Sequence, residues 1–373
     1  MNWLSNPDVR SVVWLALSFA LSLVCTALAI RYARRNNVVD QPGQRRSHSV
    51  PTPRGGGIGI VIAVLAGLVA QPLLDATPIL VRLLAAIALI ALIGWIDDHR
   101  PLPAWSRLLV QAIAVAIWLM PLLRAIVLPP SQAGAPLDTA PAETAGFALL
   151  LALLVLWSIN LHNFMDGIDG LLATQAIFVL SAMAWLGTRE AHSAHPLQLG
   201  MWAAAIAAFL PFNFPRARVF MGDVGSGVIG LLIAVAVVWQ TSMPEVAAAS
   251  GFIAASAFVI DATCTLLSRM LGGRRWYRAH REHLYQWLTR SGMSHARVVA
   301  IYMGWNLLVV TPLLWWINGV HEISEDDVLS MASGTTWAIG VYALGAVLWI
   351  CGKRWCLRRM RGTANTDIAH APA

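Results

Sequence analysis

Asp97 and Asp98 stand side by side at the end of an apolar run, in Gly94-Trp95-Ile96-Asp97-Asp98-His99-Arg100. Adjacent carboxylates repel, so at neutral pH they require a cation, a basic partner or one raised pKa. The plainer alternative is a solvated helix end. A second group, Asn163-Phe164-Met165-Asp166-Gly167-Ile168-Asp169-Gly170, repeats a polar side chain every three residues. On a helix, Asn163, Asp166 and Asp169 would lie along one drifting stripe. A cap followed by a turn also uses Asp and Gly, but one cap needs one Asp, not two and an Asn. The third group is Phe220-Met221-Gly222-Asp223-Val224-Gly225-Ser226, just before another apolar run. A helix start offers backbone N–H groups to phosphate, and a carboxylate there suits Mg²⁺, which takes oxygen ligands. A carboxylate near a bilayer costs on the order of 3 kcal/mol on insertion scales. Five of them beside glycines therefore point to a polar cavity with a use, a site for Mg²⁺ and phosphate.

His280 and His283 follow at i, i+3 in a basic stretch with Arg274, Arg275, Arg278 and Arg281. Paired histidines bind metals, yet no cysteine accompanies these. With the arginines they read as donors to a diphosphate, or as a solvated basic loop against lipid headgroups. Phe220 suits stacking on a base, or plain packing. Ser47-His48 and Arg54-Gly55-Gly56-Gly57 open a further apolar run, where glycines serve close backbone approach or a flexible linker. Asp261 lies deeper, inside an apolar run, and either pairs with Arg269 two turns on or faces the site; the structural reading is the one favoured.

The elements that hold these groups are set by composition. The chain is 58% apolar and 12% charged, against roughly 25% charged in soluble domains. It reads as an all-α integral membrane protein. Eleven apolar runs, near 11–31, 56–74, 78–96, 104–122, 145–162, 170–188, 198–214, 224–242, 248–268, 298–318 and 334–352, have the length for a hydrocarbon core of roughly 30 Å. Sorting the loops alternately puts 22 of the 26 Lys and Arg on one side, and leaves Arg10, Arg82, Arg124 and Arg189 on the other. The positive-inside rule then sets the N-terminus in the periplasm and the C-terminus in the cytoplasm. The formal charge of +7 reflects this topology, with attraction to membrane lipids, and does not call for nucleic acid. The four cysteines have no disulfide or zinc spacing. Residues 1–353 read as one multi-span domain, and 354–373 as a basic, disordered cytoplasmic tail. Every polar motif falls in an inner loop, the arrangement of an active site at the membrane–cytoplasm boundary.

The order and spacing of these motifs resemble the polyprenyl-phosphate N-acetylhexosamine-1-phosphate transferases. The resemblance rests on Asp97-Asp98 with Gln111, Asn163 to Leu171, Asn213 with Phe220 to Ser226, and His280 to Leu284. It implies transfer of a sugar-1-phosphate from a UDP-N-acetylhexosamine to undecaprenyl phosphate in the bacterial inner membrane, with Mg²⁺ or Mn²⁺ as cofactor. By resemblance, Asp223 is a metal ligand, and Asp97 and Asp98 bind or deprotonate the lipid phosphate. Asn163, Asp166 and Asp169 line the nucleotide and metal site, with Asp169 a second ligand. Phe220 stacks on uracil beside Asn213. His280 and His283 contact the diphosphate or sugar, and Arg54, Arg107 and Arg281 supply charge to the phosphates. A homodimer stays open. The chain departs from the peptidoglycan branch, which has a run of three histidines in the last motif, where this sequence has His280-Arg281-Glu282-His283-Leu284-Tyr285-Gln286. That form looks more like the enzymes that initiate O-antigen and common antigen. Arg107 stands where many members have Lys, which puts a lysine-specific role in doubt. The other classes weighed are a Mg²⁺-dependent membrane prenyltransferase, a CDP-alcohol phosphotransferase and a non-enzymatic transporter. The first has no use for the Gly222-Asp223 site or the His pair, the second expects Ala-Arg after Asp-Gly where this chain has Ile168-Asp169, and the third would place polar residues at mid-membrane rather than crowd them on one face.

Overall fold

A computed structural model describes residues 7–41, 50–70, 78–121, 141–188, 195–241, 245–275, 280–320 and 328–369. Apart from a two-residue antiparallel hairpin, β1 (Val39–Asp40) with β2 (Thr52–Pro53), the regular structure of these residues is helical. The helices are α1 (Pro7–Arg35), α2 (Ile58–Ala70), α3 (Pro78–His99), α4 (Ala104–Trp118), α5 (Pro141–Met165), α6 (Leu171–Thr188), α7 (Pro196–Asn213), α8 (Asp223–Thr241) and α9 (Glu245–Leu271). The short α10 (Leu284–Arg290), then α11 (His295–Trp305), α12 (Thr311–Val320) and α13 (Val328–Ala369) complete the order. A π-helical turn, Asn306–Val310, joins α11 to α12 without a break.

Each apolar run of the sequence carries a helix. Among the described residues, eight are long and apolar enough to cross a bilayer: α1, α3, α5, α6, α8, α9, the α11–α12 rod and α13. α2 and α4 are shorter apolar helices. The chain is thus an all-α, multi-pass integral membrane protein. α13 runs on through Arg361, and Cys356 is buried on it. The basic stretch expected as a disordered tail from 354 begins as helix, with Cys356 buried and Trp355 beside Leu284 and Leu288 of α10.

α8 is the centre of the bundle. Its apolar window is 89% buried, against 22% for α1 and α13, which face outward. It touches α2, α3, α5, α6 and α9. Lipid tails are as apolar as leucine, so helices in a bilayer associate through close packing and polar contacts rather than burial from water. α8 is built for this: the Ser158 hydroxyl of α5 donates to the Gly230 carbonyl at 2.7 Å. α1 is fixed to α7 in the same way, by Ser18 to the Met201 carbonyl and Ser22 to the Ala205 carbonyl. The first residue of this most buried helix is Asp223, so its carboxylate is placed by the core of the molecule.

Candidate active site

The site forms where α3 and α5 end and α8 begins. Asp98, near the end of α3, accepts the backbone N–H of Asp223 on Oδ1 (2.9 Å) and that of Val224 on Oδ2 (3.2 Å). It thereby caps α8 from another helix, meeting two of the four N–H groups that a helix start leaves unpaired. The segment Pro53–Gly57 runs alongside: Phe220 N–H donates to the Pro53 carbonyl (2.8 Å), and Gly56 and Gly57 N–H donate to the carbonyls of Phe220 and Met221 (both 2.9 Å). The glycines thus serve close backbone approach rather than a flexible linker. This pairing carries Arg54 over the site. Its Nε lies 2.8 Å from Asp98 Oδ1 and its Nη2 2.7 Å from Asp223 Oδ1. Burial works to lower the Arg54 pKa, but Asp98 and then Asp223 outweigh it and hold the pKa above its ordinary value.

Arg107, one turn into α4, closes the other side. Its Nη1 lies 3.1 Å from Asp97 Oδ2 and 2.6 Å from Asp223 Oδ2. Asp97 Oδ1 also accepts the Leu102 N–H at 2.6 Å, which fixes the α3–α4 turn. Asn163 Nδ2 donates to Asp223 Oδ2 at 3.2 Å. Three carboxylates are therefore knit by two guanidinium groups, which answers the charge problem posed by Asp97-Asp98 with basic partners.

This network opens onto a polar cavity of about 300 Å³. Arg54, Asn163, Asp166, Asp169, Asn213, Phe220, Asp223 and Arg281 all line it. Asn213 pins two loops: its Oδ1 accepts the Gly170 N–H (2.8 Å) and its Nδ2 donates to the Val219 carbonyl (3.0 Å). Asp169 Oδ2 accepts the Ala217 N–H at 3.1 Å and lies 3.3 Å from His295 Nδ1. Asp166 is half-buried, and among the described residues its carboxylate has no hydrogen bond or ion pair. Burial, and then the negative charge of Asp223, hold its pKa well above the usual carboxylate range.

His280 and His283 are not in the cavity wall. His283 is buried at the start of α10, its ring stacked against Tyr285 at 5.9 Å between centroids and 6.3 Å from Phe164. Burial lowers the pKa of both, to about 4 for His280, so both are neutral at pH 7. Arg278 and Ser47-His48 lie outside the described residues. Asp261 does not pair with Arg269, which instead binds Glu282 and the Arg275 carbonyl.

The sequence reading missed Asp40 and Gln286, which also line the cavity, and His295. The Pro42-Gly43 dipeptide signals a turn, enough to have brought Asp40 back toward Arg54. Gln286 and His295 have no local signal; tertiary packing alone delivers them. Across α10 from this cavity lies a larger apolar groove of about 600 Å³ between α9, α11 and α13, walled by Leu284, Leu288, Ile301, Leu348 and Trp355.

Among the described residues, no three His, Cys, Asp or Glu side chains gather into a metal cage. Mg²⁺ does not need one: it binds through one or two carboxylates, waters and substrate phosphates. Asp166, with a free carboxylate beside other negative charges, fits best; Asp169 keeps one oxygen free of Ala217 and His295, and Asp223, whose two oxygens meet Arg54, Arg107 and Asn163, would share them with the ion.

Residues 80–241, from α3 to the end of α8, match the family described as Glycosyl transferase family 4. The chain is 29% identical over 314 residues to a probable undecaprenyl-phosphate N-acetylglucosaminyl 1-phosphate transferase of Bacillus subtilis, covering 80% of this chain and 83% of that one. It is 29% identical over 306 residues to the decaprenyl-phosphate N-acetylglucosaminephosphotransferase of Mycobacterium tuberculosis, covering 73% and 74%. A phospho-N-acetylmuramoyl-pentapeptide-transferase of Shouchella clausii is 27% identical over 315 residues, covering 77% and 91%. Residues 80–241 thus resemble glycosyl transferase family 4, and most of the chain is similar to polyprenyl-phosphate N-acetylglucosamine-1-phosphate transferases and to a phospho-N-acetylmuramoyl-pentapeptide-transferase.

Proposed function

We propose that this enzyme transfers an N-acetylhexosamine-1-phosphate from a UDP-sugar to undecaprenyl phosphate, releasing UMP. The observation that carries the reading is the joining of Asp97, Asp98 and Asp223 by Arg54 and Arg107 beside a polar cavity at one end of a membrane bundle. Relatives whose names specify polyprenyl-phosphate N-acetylglucosamine-1-phosphate transfer support it.

The acceptor phosphate oxygen attacks the β-phosphorus of the UDP-sugar. A new oxygen–phosphorus bond forms, the β-phosphorus to bridging-oxygen bond breaks, and UMP leaves with that electron pair. A phosphate monoester has a second pKa near 6, so the acceptor is mostly dianionic at pH 7 and needs no strong base. Both Asp98 oxygens accept backbone N–H groups, which suits a positioning role rather than attack. We therefore favour direct displacement over an aspartyl intermediate. Arg54, Arg107 and Arg281 hold the phosphates and stabilise the charge that develops in transfer. Phe220 provides a wall for the uracil. Mg²⁺, or Mn²⁺, held by Asp223 and Asp166 with substrate oxygens, would neutralise charge on the leaving group.

The topology we infer has eleven spans, the N-terminus in the periplasm and the site on the cytoplasmic face of the bacterial inner membrane. The one-sided distribution of arginines supports it. The N-acetylglucosamine in the relatives' names makes UDP-GlcNAc the first donor to try. The product would begin a lipid-linked cell-surface glycan of the O-antigen kind. The deciding measurement is UMP release by purified protein in detergent with undecaprenyl phosphate, Mg²⁺ and a panel of UDP-N-acetylhexosamines. Release that requires both lipid and metal supports the reading. Folded protein that releases no UMP with any donor sinks it.

A further inference from the structure

Asp261 sits within a membrane span, yet its carboxylate is fully engaged. Oδ1 accepts the Leu284 N–H (2.7 Å), the Trp349 indole N–H (2.9 Å) and the Thr265 hydroxyl (3.2 Å). Oδ2 accepts the Tyr302 hydroxyl (2.7 Å) and the Tyr285 N–H (3.4 Å). A buried charge is tolerated only when hydrogen-bonded in this way. The donors come from α9, α10, α11 and α13, so this one carboxylate fixes the first turn of α10 against three long helices.

Tyr285 is in that turn and is buried. Its hydroxyl donates to the Phe164 carbonyl at 2.9 Å and accepts from Gln286 Nε2 at 3.0 Å. It also fills the space beside Gly167, where a methyl group would overlap the tyrosine oxygen. The turn from Phe164 to Gly170 is thus pinned at one end by Tyr285 and at the other by Asn213. Asp166 stands between the pins with no side-chain partner among the described residues. Its direction is set by the backbone of the turn alone.

We propose that Tyr285, seated on Asp261, is a positioning residue that holds the Phe164–Gly170 turn so that the Asp166 carboxylate faces the cavity. The proposal rests on the reading of that cavity as the transfer site.

Tyr285→Phe tests it, because the ring stays and only the hydroxyl goes. Tyr302→Phe is the control: it removes the hydroxyl that donates to Asp261 and leaves the Tyr285 hydroxyl on the Phe164 carbonyl. The readouts are kcat, KM for the UDP-sugar, the Mg²⁺ concentration giving half-maximal activity, and the rise in melting temperature caused by Mg²⁺ with UMP. For Tyr285→Phe, kcat should fall about tenfold, as one lost positioning hydrogen bond allows. The Mg²⁺ requirement should rise severalfold, the thermal shift should shrink, and KM should move little. Tyr302→Phe should lower the melting temperature and leave the Mg²⁺ requirement as in the native protein. If both variants change the Mg²⁺ requirement equally, or neither does, the proposal is wrong. Should Tyr285→Phe fail to fold, Gly167→Ala approaches from the other side by pushing on the hydroxyl, with the same rise in Mg²⁺ requirement expected and an unchanged requirement overturning the proposal. Native protein that shows the thermal shift but releases no UMP would refute the transferase reading and leave the strut to be judged by that shift.

Discussion

Asp98 caps Asp223: one carboxylate oxygen takes the backbone N–H of Asp223 at 2.9 Å, while the same oxygen meets Arg54 Nε at 2.8 Å. The first carboxylate therefore places the second. Losing an N-cap costs typically about 1 kcal/mol, and Asp98→Ala also strips Arg54 of one of its two partners. Asp98→Ala should lower stability by at least about that amount and cut UMP release more than a hundredfold. Asp98→Asn keeps an acceptor for the cap and should recover most of the stability but little of the activity. Chemical denaturation alongside turnover separates the two. Equal stability in Asp98→Ala and the native protein would remove the cap from the argument.

Arg107 reaches both Asp97 and Asp223 through a single nitrogen, Nη1. Arginine usually differs from lysine by its bidentate fork, but the fork is not what these contacts use. Arg107→Lys should therefore keep at least about a tenth of the activity, since a point charge can bridge two carboxylates. Arg107→Ala leaves Asp97 and Asp223 facing each other without that cation, and its activity should fall by two orders of magnitude or more. Turnover of the two variants under saturating substrate decides it. A dead lysine variant would mean that the second guanidinium nitrogen has a role in the substrate complex.

The helices were legible because runs of about twenty apolar residues admit little else in a bilayer. The convergence of Asp97, Asp98, Asn163 and Asp223 was legible from their positions at the ends of those runs. Their division of labour was not. Asp98 as a cap for a helix that begins 125 residues later, Asn213 as a brace between Gly170 and Val219, and His295 against Asp169 are pairings of distant residues. Periodicity carries no signal for them. The histidine pair shows the same limit: the sequence puts both among arginines, and only the fold shows that His283 stacks on Tyr285 and that neither ring lines the cavity. Asp261 read correctly as structural, with the wrong partner, because Arg269 is near in sequence while Tyr302 and Trp349 are near in space.

Gly222 is the hinge between Phe220 and Asp223. Its φ is +78°, a left-handed conformation that glycine adopts without strain. An added methyl would also run into the Asp98 carboxylate. Gly222→Ala should then lose about 1–3 kcal/mol to backbone strain and displace the cap, so stability and activity fall together. Gly273 offers the comparison: its φ is also positive, +64°, but nothing lies within 4 Å of an added methyl. Gly273→Ala should show the strain penalty with turnover nearly intact. Matching activity losses in both variants would show that backbone conformation alone, not the clash with Asp98, governs the site.

His280 gives the acid limb of stability a sign. Burial, followed by the neighbouring His283 and Arg269, holds its pKa at about 4 in the folded protein, with Glu282 and Asp261 acting weakly the other way. In the unfolded chain it titrates near 6.5. Below that pH the unfolded state binds a proton that the folded state refuses, so stability falls as pH drops from about 6.5 toward 4. Above pH 7 the residue is neutral in both states and contributes no pH dependence. His283 is shifted in the same direction and adds to the slope. Melting temperature at pH 7, 6 and 5 should decline in the native protein and decline less in His280→Gln, with the double variant at His283 flatter still. Should His280→Gln follow the native slope, folding does not lower the His280 pKa and the acid limb has another source.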